Sequence, residues 1–232
     1  HRLFNGRSVF GVGEEGIKNR IGSVVIDDVH SCLGKTEEQF TLTLDNNLND
    51  PLNPLSSNYR FILDTFKDDL DKQSKTRTIE VENCDPNTNM LIPYWAWQEK
   101  IGIIARHIHN ISDNDEIIFK WPLIKEHLHL CDCIIGGDSV EISPKMIPVR
   151  QLPSFVSAER RVFMSATISD DSVLVTHFDV NQDNLKTPIT PSQANDIGDR
   201  MILAPQELNP EISDEEMINY AKFLSQHVNV VV

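Results

Sequence analysis

Short apolar runs alternate with mixed apolar and polar segments along the chain, a pattern typical of an α/β protein. The runs at 24–26, 160–164, 200–203 and 228–232 are rich in branched or large apolar residues and predict strands. The first reads Val-Val-Ile and leads directly into two aspartates. We interpret it as a strand buried on both faces of a parallel sheet.

Helical periodicity and turn residues account for most of the remaining chain. Apolar residues at helical spacing predict helices, and alternation around a Gly-Gly turn predicts a hairpin. The predicted helices cover 37–44, 59–72, 93–111 and 116–130, a short strand covers 78–81, a linker covers 45–57 and the hairpin lies within 131–149. Ser213 and Glu216 match a capping box, which predicts a helix that runs to about Gln226.

Composition and charge narrow the class of protein. The chain has 232 residues and a net charge of −14, which argues against a generally basic nucleic-acid coat and allows one or two domains. Its four cysteines are too few and too scattered for a disulfide scaffold. No apolar run approaches the roughly 20 residues of a membrane span. We therefore expect a cytoplasmic protein with no membrane partner.

Two glycine-containing stretches match phosphate-binding loops only in part. The G-x-G-x-x-G at 11–16 is followed by too few residues for the crossover helix of a dinucleotide-binding fold. Gly34-Lys35-Thr36 matches the end of a phosphate loop, but that loop requires a glycine where the chain has Val29. We predict a plain loop for the first stretch and a solvent-exposed helical position for Lys35.

One alternating group of residues could bind a metal ion. His127, His129, Cys131 and Cys133 are all possible zinc ligands. On a strand the outer two would lie about 20 Å apart, so one ion could not reach all four. Packing and surface roles are the favoured interpretation.

Aromatic and basic side chains offer a possible nucleic-acid contact. Tyr94, Trp95 and Trp97 can stack on bases, although such a group more often packs one helix against another. Arg160 and Arg161 can contact phosphate, but such a pair is more often solvated or salt-bridged.

The most specific pattern joins two distant segments, each at the end of an apolar strand. Asp27 and Asp28 follow the strand at 24–26, and Ser165-Ala166-Thr167 follows the strand at 160–164. Ligands of open α/β sheets bind outside the carboxyl ends of the strands. Adjacent carboxylates there are suitable oxygen ligands for a Mg²⁺ bound to a nucleoside triphosphate.

These two segments resemble motifs of a known family. Residues 24–30 resemble motif II, the Walker B element, of superfamily 2 helicases of the DEAD/DEAH-box class, and residues 161–167 resemble their motif III. The chain is also similar to helicases of bacterial antiphage defence systems. The resemblance implies an α/β fold with a partial RecA-like (P-loop NTPase) parallel sheet and a large, mainly helical insertion. It further implies ATP and Mg²⁺ as cofactors and nucleic acid, DNA rather than RNA, as a partner.

The resemblance also implies roles for individual residues. Asp27 would hold Mg²⁺ through water, and Asp28 takes the place of the glutamate that orients the attacking water. His30 would hydrogen-bond to the Ser-Ala-Thr element through Ser165 and Thr167 and so couple the nucleotide state to strand movement. Aspartate is one methylene shorter than glutamate, so the Asp28 carboxylate would need a backbone shift or an intervening water.

Two departures from the family pattern shape the predicted domains. The phosphate loop would precede His1 and the arginine motif of the second domain would follow Val232, so we expect a fragment that does not hydrolyse ATP alone. Ser165 follows His30 by 135 residues, far more than in typical members, which predicts an insertion. The predicted divisions are 1–45 for a RecA-like domain 1 portion, 46–148 for the helical insertion with a hairpin, 149–205 for the rest of domain 1, and 206–232 for the start of domain 2.

Two functions remain open on the sequence. The first is the core of an ATP-dependent nucleic-acid helicase or translocase. By analogy with iron–sulfur repair helicases, the insertion would then guide a strand or dock a partner, although no four-cysteine cluster is present. The second is a degenerate RecA-like module that binds a protein partner, such as a nuclease subunit, without catalysis. A dinucleotide-dependent enzyme is a remote third alternative.

Overall fold

The described part of the chain contains a small parallel sheet and a larger antiparallel sheet, so the protein is mixed α/β. The computed structural model describes residues 3–10, 12, 19–46, 54–114, 117–165, 172–189 and 209–226. The chain divides into two compact units, 1–187 and 188–232. Every described strand belongs to the first unit.

The strands and helices follow one another in a mixed order. The strands are β1 (Ser23–Ile26), β2 (Leu42–Asp45), β3 (Asn89–Leu91), β4 (Cys131–Gly136), β5 (Ser139–Pro144) and β6 (Arg160–Phe163). The helices of the first unit are α1 (Val29–Phe40), α2 (Pro54–Glu82), α3 (Tyr94–Asn110), α4 (Trp121–Ile124), α5 (Pro153–Val156), α6 (Ser172–Phe178) and α7 (Gln182–Leu185). Two 3₁₀ turns lie at Lys125–Leu130 and Val149–Gln151, and the second unit contributes α8 (Asp214–Ser225).

The antiparallel sheet has the strand order β2-β5-β4-β3 and buries one face. Alternate residues along its strands point to one side, as the two-residue period of a strand requires. The buried side chains on this face are Leu42, Leu44, Met90, Cys131, Cys133, Ile135, Val140 and Ile142. This face is the centre of the hydrophobic core of the first unit.

Helices α2 and α3 cover the buried face of this sheet. Phe66 of α2 stacks on Trp97 of α3, with ring centroids 5.9 Å apart. Trp97 is only 1% exposed, and its indole N–H donates to the Leu128 carbonyl at 2.8 Å. This hydrogen bond offsets the cost of removing the indole N–H from water, so burial of the apolar ring stabilises the core.

A buried ion pair also joins the two helices. Asp69 of α2 is 4% exposed and accepts hydrogen bonds from Lys100 of α3 at 2.6 Å and from Lys72 at 3.0 Å. The hydrogen bond from Lys100 is the main reason why the pKa of Asp69 lies below its ordinary value. The same ammonium also donates to the Thr65 carbonyl, so both charges are well satisfied.

Side chains of α2 cover the free edge of strand β3. The carbonyls of Asn89 and Leu91 face away from β4, because their neighbours in the strand bond to that strand. The Arg77 guanidinium donates to the Asn89 carbonyl at 2.6 Å, and the Gln73 amide donates to the Leu91 carbonyl at 3.1 Å. The outward acceptors of this short edge strand are therefore satisfied within the chain.

The parallel sheet consists of β1 and β6 in the described part of the chain. Ile26 is buried, whereas Val25 is 60% exposed and its register partner Val162 is 45% exposed. The prediction that this strand is buried on both faces is therefore wrong for the described residues. A continuous apolar run does not itself report how many faces of a strand are covered.

Several predicted elements are confirmed. The helix at 93–111 is α3, the hairpin within 131–149 is formed by β4 and β5, and the strand at 160–164 is β6. The capping box is present at the start of α8: the Glu216 carboxylate accepts from the Ser213 backbone N–H at 2.9 Å, and the Ser213 hydroxyl accepts from the Glu216 N–H at 3.3 Å. The predicted strands at 200–203 and 228–232 lie outside the described residues.

Three predicted elements are wrong in type or extent. Residues 78–81 are helical and lie in the part of α2 that follows a kink at the extended residue Ser74. Within the predicted helix at 37–44, the chain leaves α1 at Thr41 and pairs as strand β2. The described part of 116–130 forms turns, the four-residue α4 and a 3₁₀ turn in place of a single helix.

The predicted domain boundaries stay predictions. In the structure, β2 lies in the predicted domain 1 portion and pairs with β5 of the predicted insertion. The antiparallel sheet is thus shared by 1–45 and 46–148. Residues 54–57, part of the predicted linker, form the first turn of α2.

Candidate active site at the ends of the parallel strands

The two strands that precede the candidate motifs are direct neighbours. β1 and β6 pair in parallel, with Val25 opposite Val162 and Ile26 opposite Phe163. Because parallel strands end at the same edge of a sheet, Asp27 and Met164, the first residues after β1 and β6, are neighbours at that edge. The acidic segment and the start of the Ser-Ala-Thr segment therefore occupy one edge, although they are far apart in the sequence.

Backbone hydrogen bonds tie these two segments together beyond the sheet. The Met164 N–H donates to the Ile26 carbonyl at 2.8 Å, and the Val29 N–H donates to the Met164 carbonyl at 3.2 Å. The second bond satisfies one of the donors at the start of α1 that have no partner within the helix. Ser165 directly follows this anchor, while Ala166 and Thr167 lie outside the described residues.

Asp28 has an unusual backbone conformation at the junction of β1 and α1. Its φ of 47° and ψ of 69° are left-handed, a region that aspartate tolerates better than most non-glycine residues. Its own backbone N–H donates to the Asp27 carboxylate at 3.0 Å. Left-handed residues of this kind are concentrated at functional sites, so this conformation marks the junction as a candidate site.

The carboxylate of Asp28 is held in its ionised form. The Ser31 hydroxyl donates to it at 2.7 Å, and this hydrogen bond lowers the pKa of Asp28 below its ordinary value. The side chains of Asp27, Asp28 and His30 are all exposed. The edge thus presents two accessible carboxylates and an imidazole, which suits a hydrated hard cation.

Ser31 is a functional candidate that the sequence analysis missed. It lies three residues after Asp28, at the spacing with which a residue before a helix often bonds to the first turn. Here the hydrogen bond joins the serine hydroxyl, as donor, to the aspartate carboxylate. The Asp-x-x-Ser spacing at a strand–helix junction was the available signal.

Arg161 connects β6 to the segment that follows the Ser-Ala-Thr element. Its guanidinium donates to the carbonyls of Phe178 and Asp179, at 2.9 and 3.2 Å, and lies 5.1 Å from the centroid of the Phe155 ring. Arg150 adds a bidentate ion pair to the Asp179 carboxylate. Arg161 therefore stabilises the end of α6 through backbone carbonyls, an arrangement that differs from both the phosphate contact and the solvated or salt-bridged state considered for it.

The candidate zinc ligands lie on two different elements. His127 and His129 belong to the 3₁₀ turn, and their ring centroids are 6.5 Å apart. Cys131 and Cys133 point into the core from β4, and burial raises the pKa of the Cys131 thiol to about 12. Among the described residues, no group of three or more His, Cys, Asp or Glu side chains could hold a metal ion.

The three aromatic residues of α3 divide into two kinds. Trp97 belongs to the core, whereas Tyr94 is 65% exposed and Trp95 is 54% exposed. The helix-packing interpretation is therefore confirmed for Trp97 alone. Tyr94 and Trp95 remain accessible to a partner.

The two partial phosphate-loop patterns have different outcomes. Gly34 and Lys35 lie within α1, where the Lys35 ammonium pairs with the Glu38 carboxylate at 2.7 Å. The predicted solvent-exposed helical position for Lys35 is confirmed. Of the stretch at 11–16, only Val12 lies among the described residues.

Comparisons with protein-family models, curated proteins and solved structures found no match to this chain. No described helix is long and apolar enough to cross a membrane. All four cysteines are unpaired in the structure.

Proposed function

We propose that this chain carries part of the ATP site of a nucleic-acid helicase or translocase. The observation that supports the proposal is the parallel pairing of β1 with β6, which brings the Asp-Asp-x-His segment beside the start of the Ser-Ala-Thr segment. In the resembled family these two motifs act together. Residues 31–160 separate the two motifs in the sequence, so their adjacency follows from the fold and not from the pattern that suggested the resemblance.

The side chains at this edge fit the proposed cofactor by their donor chemistry. Asp27 and Asp28 offer exposed carboxylate oxygens, the ligand type that Mg²⁺ prefers. Mg²⁺ bound with ATP would neutralise charge on the phosphates during phosphoryl transfer. In this proposal Asp27 holds the hydrated ion, Asp28 orients the attacking water, and His30 links the site to the Ser-Ala-Thr element.

The test uses the protein encoded by the complete gene. We expect Asp27→Ala to lower ATPase activity stimulated by single-stranded DNA by a factor of about 100 or more, because the hydrated cation loses its carboxylate. The control is Asp64→Asn, an exposed aspartate of α2, which should retain wild-type turnover. Steady-state phosphate release measures both variants.

Each other result has a definite meaning. Normal turnover of Asp27→Ala would refute the assigned role. A wild-type protein that neither binds nor hydrolyses ATP would exclude the helicase and favour a non-catalytic module that binds a protein partner, such as a nuclease subunit. The exposure of Tyr94 and Trp95 is the observation that keeps this second function under consideration.

A further inference from the structure

The junction of β3 and α3 exposes an unusual concentration of large apolar side chains. Leu91, Tyr94 and Trp95 lie within five positions of one another and are 51%, 65% and 54% exposed. Ile134 of β4 is the register partner of Leu91, so it lies beside it on the outer face of the antiparallel sheet, and it is 37% exposed. We call these four residues the aromatic surface.

The aromatic surface is built on fixed elements. Two adjacent residues of α2 contact the aromatic surface. Gln73 donates to the Leu91 carbonyl, and the Lys72 ammonium lies 5.7 Å from the centroid of the Trp95 ring. Trp97, one turn inside the same helix, anchors α3 in the core. Rigid aromatic side chains lose little entropy on binding, which is why such surfaces often contact partners.

Carboxylates outnumber basic side chains around the aromatic surface. Three basic side chains lie nearby: Lys72 pairs with Asp69, Lys145 pairs with Asp132, and the Arg77 guanidinium bonds to the Asn89 carbonyl of β3. The exposed carboxylates of Asp68 and Glu99 lie close to Lys72.

Glu141 adds a third carboxylate at the other side of the surface. It is the register partner of Ile134 and is also exposed. In the described part of the chain, Asp68, Glu99 and Glu141 form no ion pair. Together with Asp69 and Asp132 they outnumber the cations Lys72, Lys145 and Arg77, so the net charge around the surface is negative. Such a field repels a phosphate backbone and attracts lysine or arginine.

The chain itself shows that the Trp95 ring accepts a cation. The Lys72 ammonium lies over it at a distance typical of cation–π contacts. More than half of the Trp95 side chain remains exposed despite this contact. A second cationic side chain can therefore meet the accessible part of the same ring.

We propose that the aromatic surface binds a segment of a protein partner that carries lysine or arginine next to large apolar residues. The apolar residues of that segment cover Leu91, Tyr94 and Ile134, and its cations meet Trp95 and the acids Asp68, Glu99 and Glu141. Nucleic acid is the disfavoured occupant because the surrounding charge has the wrong sign. This proposal does not depend on ATP hydrolysis at the ends of β1 and β6.

The test measures binding of three fluorescein-labelled probes by fluorescence anisotropy. The probes are a 12-residue peptide of leucine and lysine, the same peptide with glutamate in place of lysine, and a 20-nucleotide oligo-dT. We expect the wild-type protein to bind the lysine peptide at least about tenfold more tightly than the glutamate peptide. Raising the salt concentration should narrow that difference.

Variants then locate the binding site. Trp95→Ala should weaken binding of the lysine peptide about tenfold, because interface tryptophans often dominate affinity, and Trp95→Phe should recover most of it. Glu99→Gln should weaken binding roughly twofold to fivefold and reduce its salt dependence. The matched control is Phe119→Ala, which removes another exposed aromatic side chain beyond the opposite end of α3.

Two results would overturn the proposal. If Trp95→Ala and Phe119→Ala affect the lysine peptide equally, its binding reflects only the overall acidity of the chain. If Trp95→Ala abolishes binding of oligo-dT and leaves the peptide unaffected, the surface is a base-stacking platform. Both outcomes can be measured and interpreted whether or not the protein hydrolyses ATP.

Discussion

The two sheets of this protein differ in how much of their surface the chain covers. The antiparallel sheet has one face buried under α2 and α3, and its β3 edge bonds to α2. The parallel pair of β1 and β6 leaves Val25 and Val162 exposed and places two accessible aspartates at its end. The comparison indicates that stability is concentrated in the first sheet and candidate chemistry at the end of the second.

The largest expected effect tests whether the antiparallel sheet carries the stability. Trp97→Ala should lower the free energy of unfolding by about 3–5 kcal/mol, since it creates a cavity against Phe66 and leaves the Leu128 carbonyl without its donor. Val162→Ala on the parallel pair should cost less than about 1 kcal/mol. Urea denaturation followed by circular dichroism measures both changes.

The control for this experiment lies on the same helix. Trp95→Ala removes an equally large but exposed ring and should change stability by no more than about 0.5 kcal/mol. Equal losses from Trp97→Ala and Val162→Ala would remove the proposed difference between the two sheets.

A smaller effect concerns the ion pair that joins α2 to α3. The folded pKa of Asp69 is lowered, chiefly by Lys100, so its stabilising contribution is present above the unfolded pKa of about 4 and is lost as pH falls through the folded pKa. Asp69→Asn should cost about 1–3 kcal/mol at pH 7 and should flatten the decline of stability below about pH 4. Urea midpoints between pH 7 and pH 2 provide the measurement.

Asp64→Asn is the matched variant for this pair. Asp64 lies on the same helix, is exposed, and forms no ion pair in the described part of the chain. This variant should retain wild-type stability at pH 7. A decline below pH 4 as steep in Asp69→Asn as in the wild type would show that this ion pair is not linked to acid stability.

The smallest effect tests the end of the parallel pair. Ser31→Ala removes the hydroxyl that bonds to the Asp28 carboxylate, so the pKa of Asp28 should rise toward its ordinary value. The free energy of unfolding should change little, because both side chains are exposed. Carboxyl ¹³C NMR titration measures the pKa, with Ser157→Ala as a control serine that bonds to Pro153 elsewhere in the chain. An unchanged Asp28 titration would show that Ser31 does not hold this carboxylate.

The sequence allowed prediction of elements whose signals are local. The Gly-Gly turn identified the β4–β5 hairpin, Pro93 and the apolar spacing identified α3, and the Ser213 capping box identified α8. Each of these signals lies within the element that it predicts, so no knowledge of the tertiary structure was needed.

Other elements depend on contacts that a linear pattern does not contain. Thr78 and Val81 have the β-branched character of a strand, but both are fully buried within α2, where tertiary packing overrides their intrinsic preference. Leu42 and Leu44 form a strand because they pair with β5, nearly 100 residues later. Their alternation is too short to reveal this partner.

The sequence nominates residues for the candidate site, but it does not give their geometry. Asp27, Asp28 and Ser165 were selected by resemblance, and the parallel pairing of their strands is a property of the fold. The left-handed conformation of Asp28 and its bond to Ser31 depend on how β1 enters α1. Neither feature follows from the identities of the residues alone.

The covered edge of β3 limits how a partner can attach to the aromatic surface. A sheet edge with free carbonyls can recruit an extended peptide as an additional strand, as many recognition domains do. Arg77 and Gln73 already bond to the outward carbonyls of Asn89 and Leu91, so this route is closed at β3. Recognition next to Tyr94 and Trp95 must therefore depend on side chains, which makes it selective for the sequence of the partner and protects the edge against self-association.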